Sequence, residues 1–251
     1  MEGKVMDSNI NKEFLGKTAL VTGASAGIGR ATSRLLASQG ADVIMVDIDS
    51  EGLLRLKEEL AKYGSRVDVY TCDVSLEDRV NEIAREVLST HGKLDILINN
   101  AGIFRNDNIP FVEQNSDIWR RKIDVNIMGT LYFTYAFLPS MLERRYGKII
   151  NLASVAGKYG IAKMADYSLT KGAIIAFSKA LAREVADKNV LVNTVSPGNI
   201  GEGFHSPSAL AYMDRNGTPA EVAELICFIA SDRASYLSGE DYVVDGCRKK
   251  I

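Results

Sequence analysis

Four consecutive apolar residues, Val43-Ile44-Met45-Val46, and other nearly unbroken runs like them constrain this chain more than any other feature. A strand with one wet face alternates apolar and polar residues. An unbroken run needs burial on both faces, as in a parallel sheet covered by helices. Strands are predicted at Thr18–Thr22, Asp42–Asp47, Val67–Thr71, Ile96–Asn99, Lys148–Leu152, Leu191–Val195 and Tyr242–Val244. Helical patterns lie between them, at Ile28–Gln39, Glu51–Tyr63, Leu76–Thr90, Ser116–Arg144, Ala165–Asp187 and Pro219–Ala230. Such alternation predicts an α/β fold, a doubly wound parallel sheet of about seven strands with helices on both faces. No linker or repeat divides the chain. It reads as a loose arm, Met1–Phe14, followed by one domain over 15–251. Pro197 and Pro207 bracket the Gly- and Ser-rich stretch Ser196–Ser208, the candidate mobile loop.

Charge and cysteine usage exclude several functions. Thirty Lys and Arg against thirty-two Asp and Glu leave a net charge of −2, without the basic stripe that nucleic acid requires. The nearest basic cluster, Arg120, Arg121 and Lys122, reads as a solvated helix face. Cys72, Cys227 and Cys247 form no CxxC pair, which suits reduced thiols in a cytoplasm. With His91 and His205 as the only histidines, no metal site is expected. His91 precedes Gly92 and reads as a helix-end side chain compatible with the dipole. No signal-peptide core occurs near the start, and the run Ile123–Leu138, broken by Asp124, Asn126 and Thr130, is too polar to span a bilayer. The helices at Ile123–Leu138 and Ala165–Asp187 are apolar over more than a narrow stripe, which points either to deep core positions or to a subunit interface in a homo-oligomer, a dimer or tetramer.

The segment Ala19-Leu20-Val21-Thr22-Gly23-Ala24-Ser25-Ala26-Gly27-Ile28-Gly29 ends a predicted strand and opens a predicted helix. Glycines at 23, 27 and 29 allow a tight turn and close approach of a pyrophosphate to the free N–H groups of the helix N-terminus. Asp47, eighteen residues after Gly29, ends the next strand. A carboxylate there accepts hydrogen bonds from adenosine ribose hydroxyls and repels a 2′-phosphate. Neither Ala26 nor Ile48 offers a cation, and Asp49 adds negative charge, so the expected cofactor is NAD rather than NADP. The plainer alternative for Asp47 is an exposed turn residue.

Tyr167 and Lys171, at i and i+4, share one face of a helix. A free phenol titrates near ~10, and an adjacent ammonium favours its ionised form, so Tyr167 is expected to exchange a proton with Lys171 as its tuner. With these pieces in place the chain resembles the short-chain dehydrogenase/reductase family from Leu15 to about Gly246. The matching motifs arrive in the family's order: the glycine loop, Cys72-Asp73-Val74, Asn99-Asn100-Ala101-Gly102, Asn126, Ser154, Tyr167 with Lys171, and Ser196-Pro197-Gly198. The resemblance implies a single Rossmann-type domain. It implies that the cofactor is held by Gly23, Ser25, Gly27, Ile28, Gly29 and Asp47, then by Asp73 and Val74 at the adenine. Asn100, Ala101 and Gly102 would line the site. Tyr167, Lys171, Pro197, Gly198 and Ile200 would complete it. In catalysis Ser154 would hold the substrate oxygen and Tyr167 would pass the proton. Lys171 would bind the nicotinamide ribose, and Asn126 would fix a water linking Lys171 to solvent. Asn126 also has a plainer reading as a locally bonded polar residue in a helix, and Ser154 as a strand end.

The sequence departs from the family's pattern in three places. Glu202 stands where the family often has a threonine near the nicotinamide carboxamide, the substrate loop near 199–217 is short, and Asp245-Gly246-Cys247 replaces Asp-Gly-Gly. Cys247 is expected to be a small packed residue. The pocket is expected to include Ala156, Gly157, Tyr159, Phe104 and His205, mostly apolar and without an arginine cluster. The expected substrate is therefore a moderately apolar secondary alcohol or ketone, hydroxysteroid-like, with a 3-oxoacyl thioester of acyl carrier protein as the rival and sugars or polyols left open. A reading of another class is a non-catalytic dinucleotide sensor or scaffold.

Overall fold

The computed structural model describes residues 12–104, 109–201 and 211–249. Its centre is a seven-stranded sheet, all parallel, in the order β3-β2-β1-β4-β5-β6-β7. The strands are β1 (Thr18–Thr22), β2 (Asp42–Asp47), β3 (Val67–Thr71), β4 (Ile96–Asn99), β5 (Gly147–Leu152), β6 (Val190–Pro197) and β7 (Asp241–Val244). The first four coincide with the predicted spans. The last three each begin a residue earlier than predicted, and β6 also extends to Pro197.

The apolar runs are explained by burial on both faces. Ala19 and Val21 enter one core with Val43 and Met45, while Leu20, Ile44 and Val46 enter the other. On the first face lie α1 (Gly27–Ser38), α2 (Ser50–Leu60) and α8 (Pro219–Ala230). On the second lie α3 (Glu77–His91), α5 (Gly129–Arg144) and α7 (Ala165–Val185). Fully buried Phe133 and Phe137 of α5 fill that second layer. Full burial of such a side chain stabilises the fold by about 1.5–3 kcal/mol.

Four local expectations are corrected. The predicted helix Ser116–Arg144 is divided into α4 (Ser116–Ile123), a wider π-helical turn at Asp124–Met128, and α5. A short helix, α6 (Val155–Tyr159), follows β5 where none was predicted. Phe14 does not belong to a loose arm: it is 1% exposed, and its N–H donates to the Gln39 carbonyl at 3.0 Å. Lys122 is not on a solvated face, whereas Arg120 and Arg121 are exposed as expected. Lys122 is buried against Asp166 at 2.5 Å, and Arg121 reaches Asp73 at 2.5 Å.

His91 is the last residue of α3, with Gly92 in the left-handed conformation after it, and its Nε2 sits 2.8 Å from Asp68 Oδ2. Cys72 and Cys227 are buried free thiols, whereas Cys247 is exposed rather than packed. Among the described residues no helix is long and apolar enough to cross a membrane, and no three His, Cys, Asp or Glu side chains form a metal-holding group. Most of the arm, and Glu202, His205 and Pro207, lie outside the described residues.

Candidate functional site

Two adjoining clefts open at the carboxyl ends of the strands. The first is built around the turn from β1 into α1. Gly27 has φ +52°, which favours glycine, and no atom stands within 4 Å of where its Cβ would be. A Cβ on Gly29 would collide with the Gly23 carbonyl oxygen, so the turn closes only with glycine there. Ala26 caps α1 without a side-chain hydrogen bond, and the first turn carries no acid. The first N–H groups of α1 therefore face open space beside Gly27, and the positive end of the helix dipole is uncompensated. This cradle fits an anionic diphosphate.

The same cleft is lined by Asp47, Ile48, Asp73, Val74, Ala101 and Arg121, among others. The Asp47 carboxylate accepts from Ser25 N at 2.9 Å and from Asp49 N at 3.0 Å, which fixes it at the end of β2. Arg30, the nearest cation in α1, is engaged with Glu59 at 2.9 Å. Arg121 is neutralised by Asp73 and also donates to Ser75 Oγ at 2.7 Å. Burial works against the Asp73 charge, yet Ser75 and Arg121 together hold its carboxyl below the ordinary value. Asn100 donates from Nδ2 to the carbonyls of Thr22 and Gly23, both at 2.9 Å, so the end of β4 is tied to the glycine turn. Asn99 donates to Asn151 Oδ1 at 2.8 Å, linking β4 to β5 under the cleft floor.

The second cleft has a cavity volume of about 360 Å³. Ser154, Tyr167 and Lys171 all line it, together with Asn100, Gly102, Pro197, Gly198 and Ile200. Ser154 is the N-cap of α6, and its Oγ accepts from Ala156 N at 3.1 Å. Tyr167 stands in the first turn of α7, its ring edge-on to Phe104 at 5.1 Å between centroids. One turn further on, Lys171 donates from Nζ to the Leu152 carbonyl at 2.7 Å. That ammonium lies 5.9 Å from the Tyr167 ring centroid.

The expected acidification of Tyr167 by Lys171 is not what this geometry produces. Burial pushes the phenol up to about 12, and a hydrogen bond with Ser154 is what opposes the rise. Burial likewise brings Lys171 down to about 8. Desolvation penalises both charged forms more than their mutual attraction, across a gap of this size, returns. Tyr167 is thus a neutral phenol at neutral pH, equipped to donate a proton, beside a lysine that still carries its charge there.

Asn126 sits in the π-helical turn, a feature frequent at functional sites. Its Oδ1 accepts from Ile103 N at 2.7 Å, while Nδ2 donates to Ile103 O at 3.2 Å and to Thr170 Oγ1 at 3.1 Å. The side chain clamps the segment after β4 to the helix that carries Tyr167 and Lys171. Of the expected pocket residues, Phe104 and Ala156 line the cleft, while Gly157 and Tyr159 do not. Gly157 packs instead on the α7 backbone, where a Cβ would lie 2.4 Å from the carbonyl carbon of Lys171. Composition missed Ile161, Met164 and Arg248 as wall residues, since each arrives from a segment without a motif.

A family model described as short chain dehydrogenase matches residues 17–208. The chain is 37% identical over 240 residues to a 3-oxoacyl-[acyl-carrier-protein] reductase of Thermotoga maritima, covering 92% of this chain and 97% of that one. It is 35% identical over 250 residues to 3beta-hydroxysteroid dehydrogenase 2 of Eggerthella lenta, covering 94% and 96%. It is 35% identical over 247 residues to a cyclohexanol dehydrogenase of an Acinetobacter species, covering 96% and 98%. Among solved structures, an NAD+-bound xylitol dehydrogenase is similar with a TM-score of 0.87 and 30% identity, covering 92% of this chain and 98% of that one.

Proposed function

The chain belongs to the short-chain dehydrogenase family of oxidoreductases, and from that premise we propose that it interconverts a secondary alcohol and a ketone using NAD(H). One observation carries the reading: Ser154, Tyr167 and Lys171 converge on a single cleft that adjoins the diphosphate cradle. A bound nicotinamide supplies or accepts the hydride.

The chain's own residues do the rest. Ser154 Oγ holds the substrate oxygen. Tyr167, kept neutral by burial, gives its proton to the oxygen of a ketone as that oxygen gains charge, and in the reverse direction its phenolate takes the proton from an alcohol. Lys171, anchored on the Leu152 carbonyl, places a positive charge beside the phenolate left behind and stabilises it. The Asn126 clamp keeps the segment after β4 and α7 in register around the cleft.

Preference for NAD over NADP is supported by Asp47, whose carboxylate stands at the ribose end of the cradle while the nearby arginines are neutralised by Glu59 and Asp73. The mostly apolar wall of Ile103, Phe104, Ile161 and Met164 suits a hydroxysteroid-like or cyclic ketone. A second reading, reduction of a 3-oxoacyl thioester, is favoured by the similarity to the Thermotoga reductase. Free, buried thiols at Cys72 and Cys227 suit a reducing cytoplasm.

The test is NADH and NADPH oxidation against a panel of cyclic ketones, a steroid ketone, a ketose and a 3-oxoacyl thioester. The expected result is turnover of ketones with NADH favoured over NADPH, a preference that Asp47→Ala weakens. Tight NADH binding with zero turnover across the panel would replace this reading with a sensor. Equal use of NADH and NADPH would remove the role given to Asp47.

A further inference from the structure

We infer that the substrate of this site carries a carboxylate, held by Arg248 at the wall of the Tyr167 cleft. The inference rests on the proposed alcohol–ketone reading and names its substrate class more narrowly. Arg248 and Lys171 are the two cations among the described lining residues, which include no Asp or Glu. Lys171 is already committed to the Leu152 carbonyl. Arg248 is half-buried, and no described carboxylate lies within ion-pair distance of it. Of the two acids in the neighbouring small cleft, Glu221 is taken by Arg215 at 2.5 Å, and no ion pair joins Asp245 to Arg248. Arg248 shares this wall with Ile161 and Met164 and has no described anion beside it, so its donors are available to a ligand.

The position of Arg248 is built into the backbone rather than left to a trailing end. After β7 the chain turns through two successive left-handed residues, Gly246 at φ +64° and Cys247 at φ +59°. A left-handed cysteine is unfavourable and persists only where the surroundings enforce it. Here Met213 N donates to the Gly246 carbonyl at 3.1 Å and Tyr212 N to the Cys247 carbonyl at 3.0 Å. Arg248 then pairs with Ala211 in an antiparallel bridge. The segment is thereby fixed against the wall of the cleft that holds Tyr167.

Two observations assign the guanidinium to the substrate rather than to the dinucleotide. The diphosphate cradle at Ala26 and Gly27 belongs to the other cleft, whose lining includes Asp47 and Arg121 but not Arg248. A lone guanidinium matches one carboxylate through a two-pronged hydrogen bond, whereas a phosphate ester, with its larger charge, calls for several cations. The substrate that fits is an oxo or hydroxy acid with an apolar body between its carbonyl and its carboxylate.

The experiment compares oxo acids with their methyl esters as NADH-dependent substrates of wild type, Arg248→Met and Arg248→Lys, and measures the NADH Kd of each protein by fluorescence titration. Wild type should prefer acid over ester. In Arg248→Met that preference, a ratio of kcat/KM values within one protein, should fall about 10- to 100-fold, mainly through KM for the acid. Arg248→Lys should keep part of it, because the charge remains but the planar fork is lost. The NADH Kd should not follow. Equal use of acid and ester by wild type overturns the inference while leaving the alcohol–ketone reading standing. A weakened NADH Kd in Arg248→Met would move the guanidinium to the cofactor and also overturn it. Failure of every ketone, acid or ester, to oxidise NADH would overturn both.

Discussion

Tyr167 takes its acidity from a contest between burial and one hydroxyl. Burial raises the phenol to about 12, and the hydrogen bond with Ser154 is what pulls it back. Losing a hydrogen bond that favours the ionised form moves a pKa upward. Ser154→Ala should therefore shift the rising limb of the alcohol-oxidation profile, where the phenol ionises, to higher pH and lower kcat by about 100-fold. A pH–rate profile that loses amplitude without moving would confine Ser154 to holding the substrate oxygen. Ser154, Tyr167 and Lys171 were expected as a set from the family resemblance, and all three line one cleft. The direction of the Tyr167 shift was not legible in the sequence, since it depends on how deeply the phenol is buried. Arg248 was equally invisible: it follows β7 in sequence and enters the cleft only through the turn at Gly246 and Cys247.

Among the elements, the strands could be read closely because burial on both faces leaves an unbroken apolar signature, as in β2. The joint between α4 and α5 could not, since the apolar pattern runs straight through the π-helical turn at Asp124–Met128. Short α6 offers too few residues for a helical period to show. The ion pair of Lys122 with Asp166 spans 44 positions of sequence and joins α4 to the first turn of α7. Asp166 Oδ1 also accepts from Tyr167 N at 2.8 Å, so this pair braces the helix end that presents the phenol. Both side chains are almost wholly buried. Lys122→Met should cost about 3–5 kcal/mol by leaving a buried carboxylate unpaired, and adding Asp166→Asn should recover much of it. Urea unfolding of the two variants measures this, and an unchanged midpoint in Lys122→Met would remove the brace.

At the scale of the whole molecule, the sheet brings all the candidate residues to the carboxyl ends of its strands, where the crossover between β1 and β4 opens the cleft. The outer faces of α5 and α7 remain apolar, with Tyr135 76% exposed and Leu169 59% exposed. Covering such faces by a second copy would account for the broad apolar stripes noted in both helices. Light scattering at micromolar concentration should give a dimer or tetramer, and a monomer would contradict the covering of these faces. The central claim, that the Tyr167 phenol exchanges the proton in a cleft beside the dinucleotide, is tested most directly by Tyr167→Phe. Its NADH Kd and its rate of NADH oxidation with a turned-over ketone are to be measured side by side. The predicted result is an unchanged Kd with a rate lowered at least about 100- to 10,000-fold. A wild-type rate in Tyr167→Phe would contradict the account.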